Sequence, residues 1–212
     1  MQTTHLSRVL GTLLLAALAS CSRNSANPYA AIQNPPLLQA KLHTVTLVTD
    51  GPAVAEELQT KGFTPIQFAS NYPVSDSVES SLWSVPQPVA ASAAHFKAPN
   101  EADASVRVLK MALAANSRAA DSAVEKAFFR NVLGTDVPRW PAGVERTGKV
   151  RVQVWTYLIA DVVAANKRLR ENGIPVVFDP VGITTAYLGD HKTMAIRAPD
   201  GTMVELVQTA AQ

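Results

Sequence analysis

Strand-like and helix-like apolar patterns alternate along this chain, and they do so twice. His43-Thr-Val-Thr-Leu-Val-Thr-Asp50 is rich in β-branched residues and predicts a strand. Pro52 to Lys61 predicts a helix, with Pro near its start, Val54 and Leu58 on one face, and Gly62 closing it. Phe63 to Phe68 follows as a second strand. The order then returns: Val154 to Asp161 is a strand ending in Asp, and Val162, Ala165 and Leu169 mark a helix face. Gly173 stops that helix, and Ile174 to Phe178 is the next strand. Asp50 to Gly62 and Asp161 to Gly173 are both separations of twelve residues, which predicts one strand–helix–strand unit used twice.

The second copy can be completed. Lys192 to Arg197 and Thr202 to Gln208 are strands joined by Ala198-Pro-Asp-Gly201, and Asp-Gly between apolar alternations is a strong hairpin signal. The first copy takes Val89 to Lys97 as its third strand and Val106 to Leu113 as its fourth. Ser117 to Gly134 lies between the copies, and its Ala120, Val124, Ala127 and Phe128 follow a helical period. The predicted organisation is a leader over 1–20, a flexible tether over 21–40, a βαβββ module over 41–114, a helical connector over 115–149 and a second βαβββ module over 150–209.

The N-terminal residues differ from the rest. Met1 to Arg8 is polar with one firm positive charge, and Val9 to Ala19 is an eleven-residue apolar run. A bilayer span needs about 20 apolar residues, so the run predicts a secretory signal. Leu18-Ala19-Ser20-Cys21 resembles the lipobox of bacterial lipoproteins, which implies lipidation of Cys21. Ser22 after that cysteine resembles the outer-membrane sorting case. The implied location is the bacterial envelope, lipid-anchored at the outer membrane and facing the periplasm; a plain secreted protein is the alternative. Pro28, Pro35 and Pro36 among Ser, Asn and Ala predict the tether.

Composition narrows the classes. With 47% hydrophobic and 17% charged residues among 212, the chain is globular, of one or two domains. A formal charge of +2, without a Lys/Arg stripe, argues against a nucleic-acid surface. One cysteine excludes an intrachain disulfide and a thiolate zinc cluster.

Asp161-Val-Val-Ala-Ala through Arg168-Leu-Arg-Glu-Asn-Gly-Ile-Pro, with Ala198-Pro-Asp-Gly-Thr-Met-Val-Glu-Leu-Val-Gln208, resembles the vicinal oxygen chelate superfamily, which includes glyoxalase I, bleomycin-resistance proteins and extradiol dioxygenases. Ala198 replaces the first Asp of the usual turn. The resemblance implies an α+β fold, paired βαβββ modules forming a curved mixed sheet with a cup, here with an extra connecting helix. Ala127 to Gly134 is also similar to the first helix of such domains, so a register in which a module begins at Val106 stays open. The linker-helix reading is preferred, since the short span from Gly134 to Val154 scarcely holds two further strands.

In that superfamily the cup holds a divalent metal on the first and fourth strands of each module, and an N/O site suits Zn, Fe, Ni or Mn. Mapped here, those positions are His43, Lys110, Val154 and Glu205. Valine cannot coordinate, and two protein ligands fall short of the usual three. A Lys110 ammonium as counter-charge to Glu205 is the expected substitute. His95 and His191 are the remaining histidine candidates, each read more readily as exposed or hydrogen-bonded, with His191 in a turn. Alternation puts His43, Val45 and Leu47 on one face and Val154, Thr156 and Leu158 on the cup face, with Trp155, Tyr157 and Ile159 toward the helix. The cup so drawn is mostly apolar with a few polar groups; Trp83, Trp140 and Phe96 are aromatic candidates for its wall.

The leading expectation is an envelope lipoprotein whose cup, with His43, Lys110, Val154, Thr156 and Glu205 as pocket candidates, binds a small molecule without a strong metal site or other cofactor. One alternative is a metal-dependent lyase, isomerase or dioxygenase using His43 and Glu205. Another is a non-catalytic envelope interaction module. The resemblance also allows two such chains to pair.

Overall fold

The computed structural model describes residues 27–32, 35–49, 53–74, 78, 82, 89–100, 103–110, 122–138, 150–185 and 187–209. The expected leader over 1–20, Cys21, Asp50, Trp83 and Trp140 lie outside the described residues. The first module comprises β1 (Lys41–Thr49), α1 (Ala53–Thr60), β2 (Thr64–Val74), β3 (Val89–Lys97) and β4 (Ser105–Lys110). A connector follows, α2 (Ser122–Ala127), running into a π-helical turn (Phe128–Leu133). The second module comprises β5 (Val150–Leu158), α3 (Val162–Glu171), β6 (Val176–Thr185), β7 (Gly189–Arg197) and β8 (Met203–Thr209).

The strands form one mixed eight-stranded sheet in the order β2-β3-β4-β1-β5-β8-β7-β6. In each module the first strand runs parallel to the fourth, β1 with β4 and β5 with β8, and the modules join through antiparallel β1 and β5. This is the paired βαβββ architecture expected of the α+β class. The parallel β1–β4 pairing settles the register left open: Val106 belongs to a fourth strand, so no module starts there.

The repeat is visible in the backbone. Both module helices end on a glycine with positive φ, Gly62 at 84° and Gly173 at 70°. In both, the next residue bonds back to the same turn: Phe63 N–H to the Leu58 carbonyl (3.0 Å) and Ile174 N–H to the Leu169 carbonyl (2.9 Å). Glycine reaches this left-handed closing conformation without a Cβ penalty. At the other end of α3, Asp161 caps the helix by accepting from the Val163 and Ala164 amides.

Alternation divides the core between the two faces of the sheet. Val45, Leu47, Val106, Val108, Trp155 and Leu206 pack toward the helices, where Leu58, Phe128 and Leu169 meet them. Val48, Leu82, Leu109, Val154, Ala195 and Met203 form a smaller cluster on the concave side. Trp155 and Tyr157 face the helices as alternation predicts.

The expected flexible tether over 21–40 needs correction in its C-terminal part. Leu37, Leu38 and Ala40 donate backbone N–H groups to the carbonyls of Asn131, Val132 and Leu133 (2.8–3.0 Å), and Leu38 is 4% exposed. Asn131 donates to the Tyr29 carbonyl at 2.9 Å, and the Tyr29 ring meets Phe128 edge-on. The widened π-turn leaves carbonyls without a partner in the helix, and this strap supplies their donors. Among the described residues no helix is long and apolar enough to cross a membrane.

Candidate functional site

The concave face is built by cross-strand neighbours, which share a side of the sheet. Thr156 stands opposite Glu205, Thr44 opposite Thr156, Thr46 opposite Arg107, and Arg107 opposite His95. Thr44, Thr46, Thr156, Thr193, His95, Arg107 and Glu205 are all buried. The cup is therefore polar at its centre, with more polar groups than the few that alternation predicts. Apolar side chains of the concave cluster border this polar centre.

Glu205 is its hub, 2% exposed. Its Oε2 accepts from the hydroxyls of Thr156 (2.9 Å) and Tyr187 (3.2 Å), and its Oε1 accepts from Thr193 (3.0 Å). Three O–H donors on one carboxyl group is the pattern that an acceptor-only, ionised carboxylate uses. Tyr187 arrives from the β6–β7 turn and lays its ring between modules, with the Arg107 guanidinium 4.4 Å from the ring centre and His95 edge-on at 5.8 Å. Burial, and next the Glu205 charge, hold the Tyr187 phenol well above its ordinary pKa, so it stays a donor.

The first module adds a hydroxyl–imidazole chain. His43 Nδ1 lies 2.7 Å from Thr44 Oγ1, which lies 2.8 Å from Ser105 Oγ, which lies 3.0 Å from His95 Nε2. Ser105 donates its only proton to the His43 carbonyl (3.1 Å), so His95 must donate Nε2–H to Ser105. Thr44 then donates to Ser105 and accepts from His43 Nδ1–H, which leaves His43 Nε2 as a bare acceptor. Burial first, then the Arg107 charge and His43, push His95 down to about 4. Burial also lowers His43, Glu205 opposing it and Lys41 adding to it. Both rings are neutral at pH 7.

The structure brings Val154, Thr156 and Glu205 together on the concave face. His43 comes close to them by a different route from alternation. A β-bulge between Leu42 and Thr44 leaves His43 without a partner on β5 and reverses the alternation after it. Thr44, Thr46 and Val48 consequently take the cup, whereas Val45 and Leu47 turn to the helices. Lys110 is exposed at the end of β4, so the Lys110–Glu205 pair does not form; Arg107, 4% exposed, holds the cup position on that strand. Phe96 is fully buried in the helix-side core and is no part of the cup wall. His191 lies on β7 rather than in a turn, buried, with its Nδ1–H donated to the Gly189 carbonyl at 2.8 Å. Sequence reasoning missed Arg107, Ser105 and Tyr187. A charge between two valines was a legible signal for Arg107; nothing local marks Tyr187.

The donor set does not fit the divalent metal that the resemblance implies. Among the described residues no three His, Cys, Asp or Glu side chains gather. Val154 offers no lone pair, Arg107 brings a positive charge into the cup, and both Glu205 oxygens already take hydroxyl protons.

Arg107 and Tyr187, with Thr46, Thr185 and Glu205, line a narrow cleft closed on its apolar side by Leu82, Val154 and Ile183. Its cavity volume is about 10 Å³, the scale of a single water.

No family model matches the chain, and no curated protein matches it significantly. Solved structures do. Methylmalonyl-CoA epimerase from Mycobacterium tuberculosis superposes with a TM-score of 0.47 at 15% identity, covering 85% of this chain and 95% of its own. A variant of 4-hydroxymandelate synthase from Streptomyces coelicolor gives 0.47 at 8% identity, over 82% of this chain and 50% of its own. An Mn(II)-bound glyoxalase from Novosphingobium aromaticivorans gives 0.43 at 14% identity, over 82% of this chain and 40% of its own. Each superposes over more than four fifths of this chain at low identity.

Proposed function

We propose that this domain binds a small molecule in the cleft between its modules, without a divalent metal, and that lipidated Cys21 holds it at the bacterial envelope. The observation that carries the reading is the burial of Arg107 and Glu205, one from each module, at 4% and 2% exposure around one cleft. Burying a charge is costly, and an apolar side chain of the same shape carries no such cost. A few convergent polar and charged groups in an otherwise apolar cleft are what a small-molecule site uses to orient its ligand. The envelope location rests on Leu18-Ala19-Ser20-Cys21 after the apolar run.

A second reading, a non-catalytic interaction module using the fold as a scaffold, is favoured by the small cavity of about 10 Å³. Small-molecule pockets usually run to ~300 Å³ or more, so ligand entry requires Tyr187 or Leu82 to move. The metal-dependent enzyme using His43 and Glu205 is disfavoured by the donor set.

Thermal-shift titration of the intact protein against a panel of small oxygenated compounds tests the proposal. A compound that raises Tm in a saturable manner, with the effect lost in Arg107→Met at retained near-UV circular dichroism, supports it. A panel without any saturable response leaves the interaction module as the better reading.

A further inference from the structure

The cleft carries one unmet polar group. Thr185 is 6% exposed, lines the cavity, and its hydroxyl has no hydrogen-bond partner. A buried hydroxyl left unpaired is costly, and native interiors satisfy nearly all of them. The Glu205 hydroxyls show the contrast: Thr156 and Thr193 are buried and paired, while Thr185 is buried and waits.

We propose that the Thr185 hydroxyl marks a subsite for one uncharged oxygen, a carbonyl or alcohol oxygen of a small organic ligand, seated in the cavity that Thr185 shares with Arg107. This rests on the small-molecule reading above and names its ligand class. The charges around the cavity select the class. Glu205 repels a carboxylate that Arg107 attracts, and Arg107 repels an ammonium that Glu205 attracts, so the opposed charges leave neither ion a net gain to set against its desolvation. His43 and His95 are neutral at pH 7 and do not tip this balance. A neutral oxygen avoids that desolvation cost. It accepts from the Thr185 hydroxyl, or donates to it when it is itself an alcohol. The volume of about 10 Å³ admits a single heavy atom. Val154 and Ile183 on the cavity wall suit the carbon that bears the oxygen. Tyr187 and Leu82 are the wall members that do not belong to the sheet.

Three probes of four heavy atoms each separate the classes: acetone, acetate and isopropylammonium. Each is titrated into the millimolar range against intact protein carrying labelled threonine methyls, read by NMR. Acetone is expected to shift the Thr185 and Thr46 signals saturably while the two ions leave them in place. Read at the Thr46 methyl, which both variants keep, Thr185→Val should abolish the saturation and Thr185→Ser should retain it, which separates loss of the hydroxyl from loss of fold. Saturation by acetate or isopropylammonium at the same methyls overturns the ligand class and leaves the small-molecule reading standing. A persistent water contact to Thr185 under all three probes, with no saturable shift, identifies a structural water only and overturns the subsite. Failure of the wider thermal-shift panel as well overturns both.

Discussion

Thr193 and Glu205, on neighbouring strands β7 and β8, meet through a 3.0 Å hydroxyl–carboxylate hydrogen bond in a site where neither side chain reaches solvent. Removing the donor leaves a buried acceptor short of a partner. Thr193→Val is expected to cost roughly 1.5–3 kcal/mol, and Thr156→Val the same. Tyr187→Phe should cost less, because its hydrogen bond is longer at 3.2 Å and the aromatic body survives. Urea unfolding of the three variants and the Thr156/Thr193 double variant checks this, with the double expected to be non-additive since both donors serve one carboxylate.

Metal should not matter to this fold. Dialysis against a chelator, followed by Zn, Mn, Ni or Fe, is expected to leave Tm unchanged. An ion bound only by the folded state at 100 times its Kd would add about 2.7 kcal/mol, which is easily seen. Elemental analysis of protein prepared without chelator gives the second check, and a stoichiometric ion would overturn the donor-set argument.

His95 makes stability depend on pH. Its folded-state pKa of about 4 lies below the unfolded value of about 6.5, so the unfolded chain takes up the proton first. Its contribution is complete above about pH 6.5 and is lost as pH falls toward 4, by up to about 3 kcal/mol. The difference in unfolding free energy between wild type and His95→Gln, followed from pH 7 to 4, isolates this group from the carboxylates. A pH-independent difference would refute it.

Gly134 sits at φ +75°, and a Cβ there would stand 2.7 Å from the Leu38 carbonyl oxygen. Gly134→Ala is expected to destabilise by about 2 kcal/mol or more, from left-handed strain plus displacement of the strap. Asn tolerates the left-handed conformation but carries the same Cβ, so Gly134→Asn should fail to rescue. Unfolding free energies and proteolysis of residues 35–40 report the two effects separately.

The envelope proposal predicts that Cys21→Ser abolishes incorporation of labelled fatty acid and moves the protein from the membrane to the soluble fraction in a Gram-negative host. Unchanged labelling and fractionation would remove the anchor from the proposal.

Much of the architecture was legible from Asp161, Gly173 and Asp200-Gly201, because caps, left-handed stops and hairpin turns are decided by a few adjacent residues. The equal twelve-residue spacing announced the repeat for the same reason. Strand interiors were readable where alternation ran unbroken, as it does through Val154, Trp155, Thr156 and Tyr157. It failed at His43, where one bulge inverted the facing of β1, and at Lys110, where an error of register exchanged an exposed lysine for a buried arginine. Because side chains alternate with a period of two, a shift of one residue turns a whole strand over, and no local signal reports it. The site itself was a tertiary decision. Arg107, Thr185, Tyr187 and Glu205 lie on β4, β6, the β6–β7 turn and β8, and only the pairing of β1 with β4 and β5 brings the arginine to one cleft with the others. The sequence by itself determined that two modules would form and which carboxylate one of them would carry. Long-range strand pairing alone decided that hydroxyls, an arginine and a tyrosine would surround it.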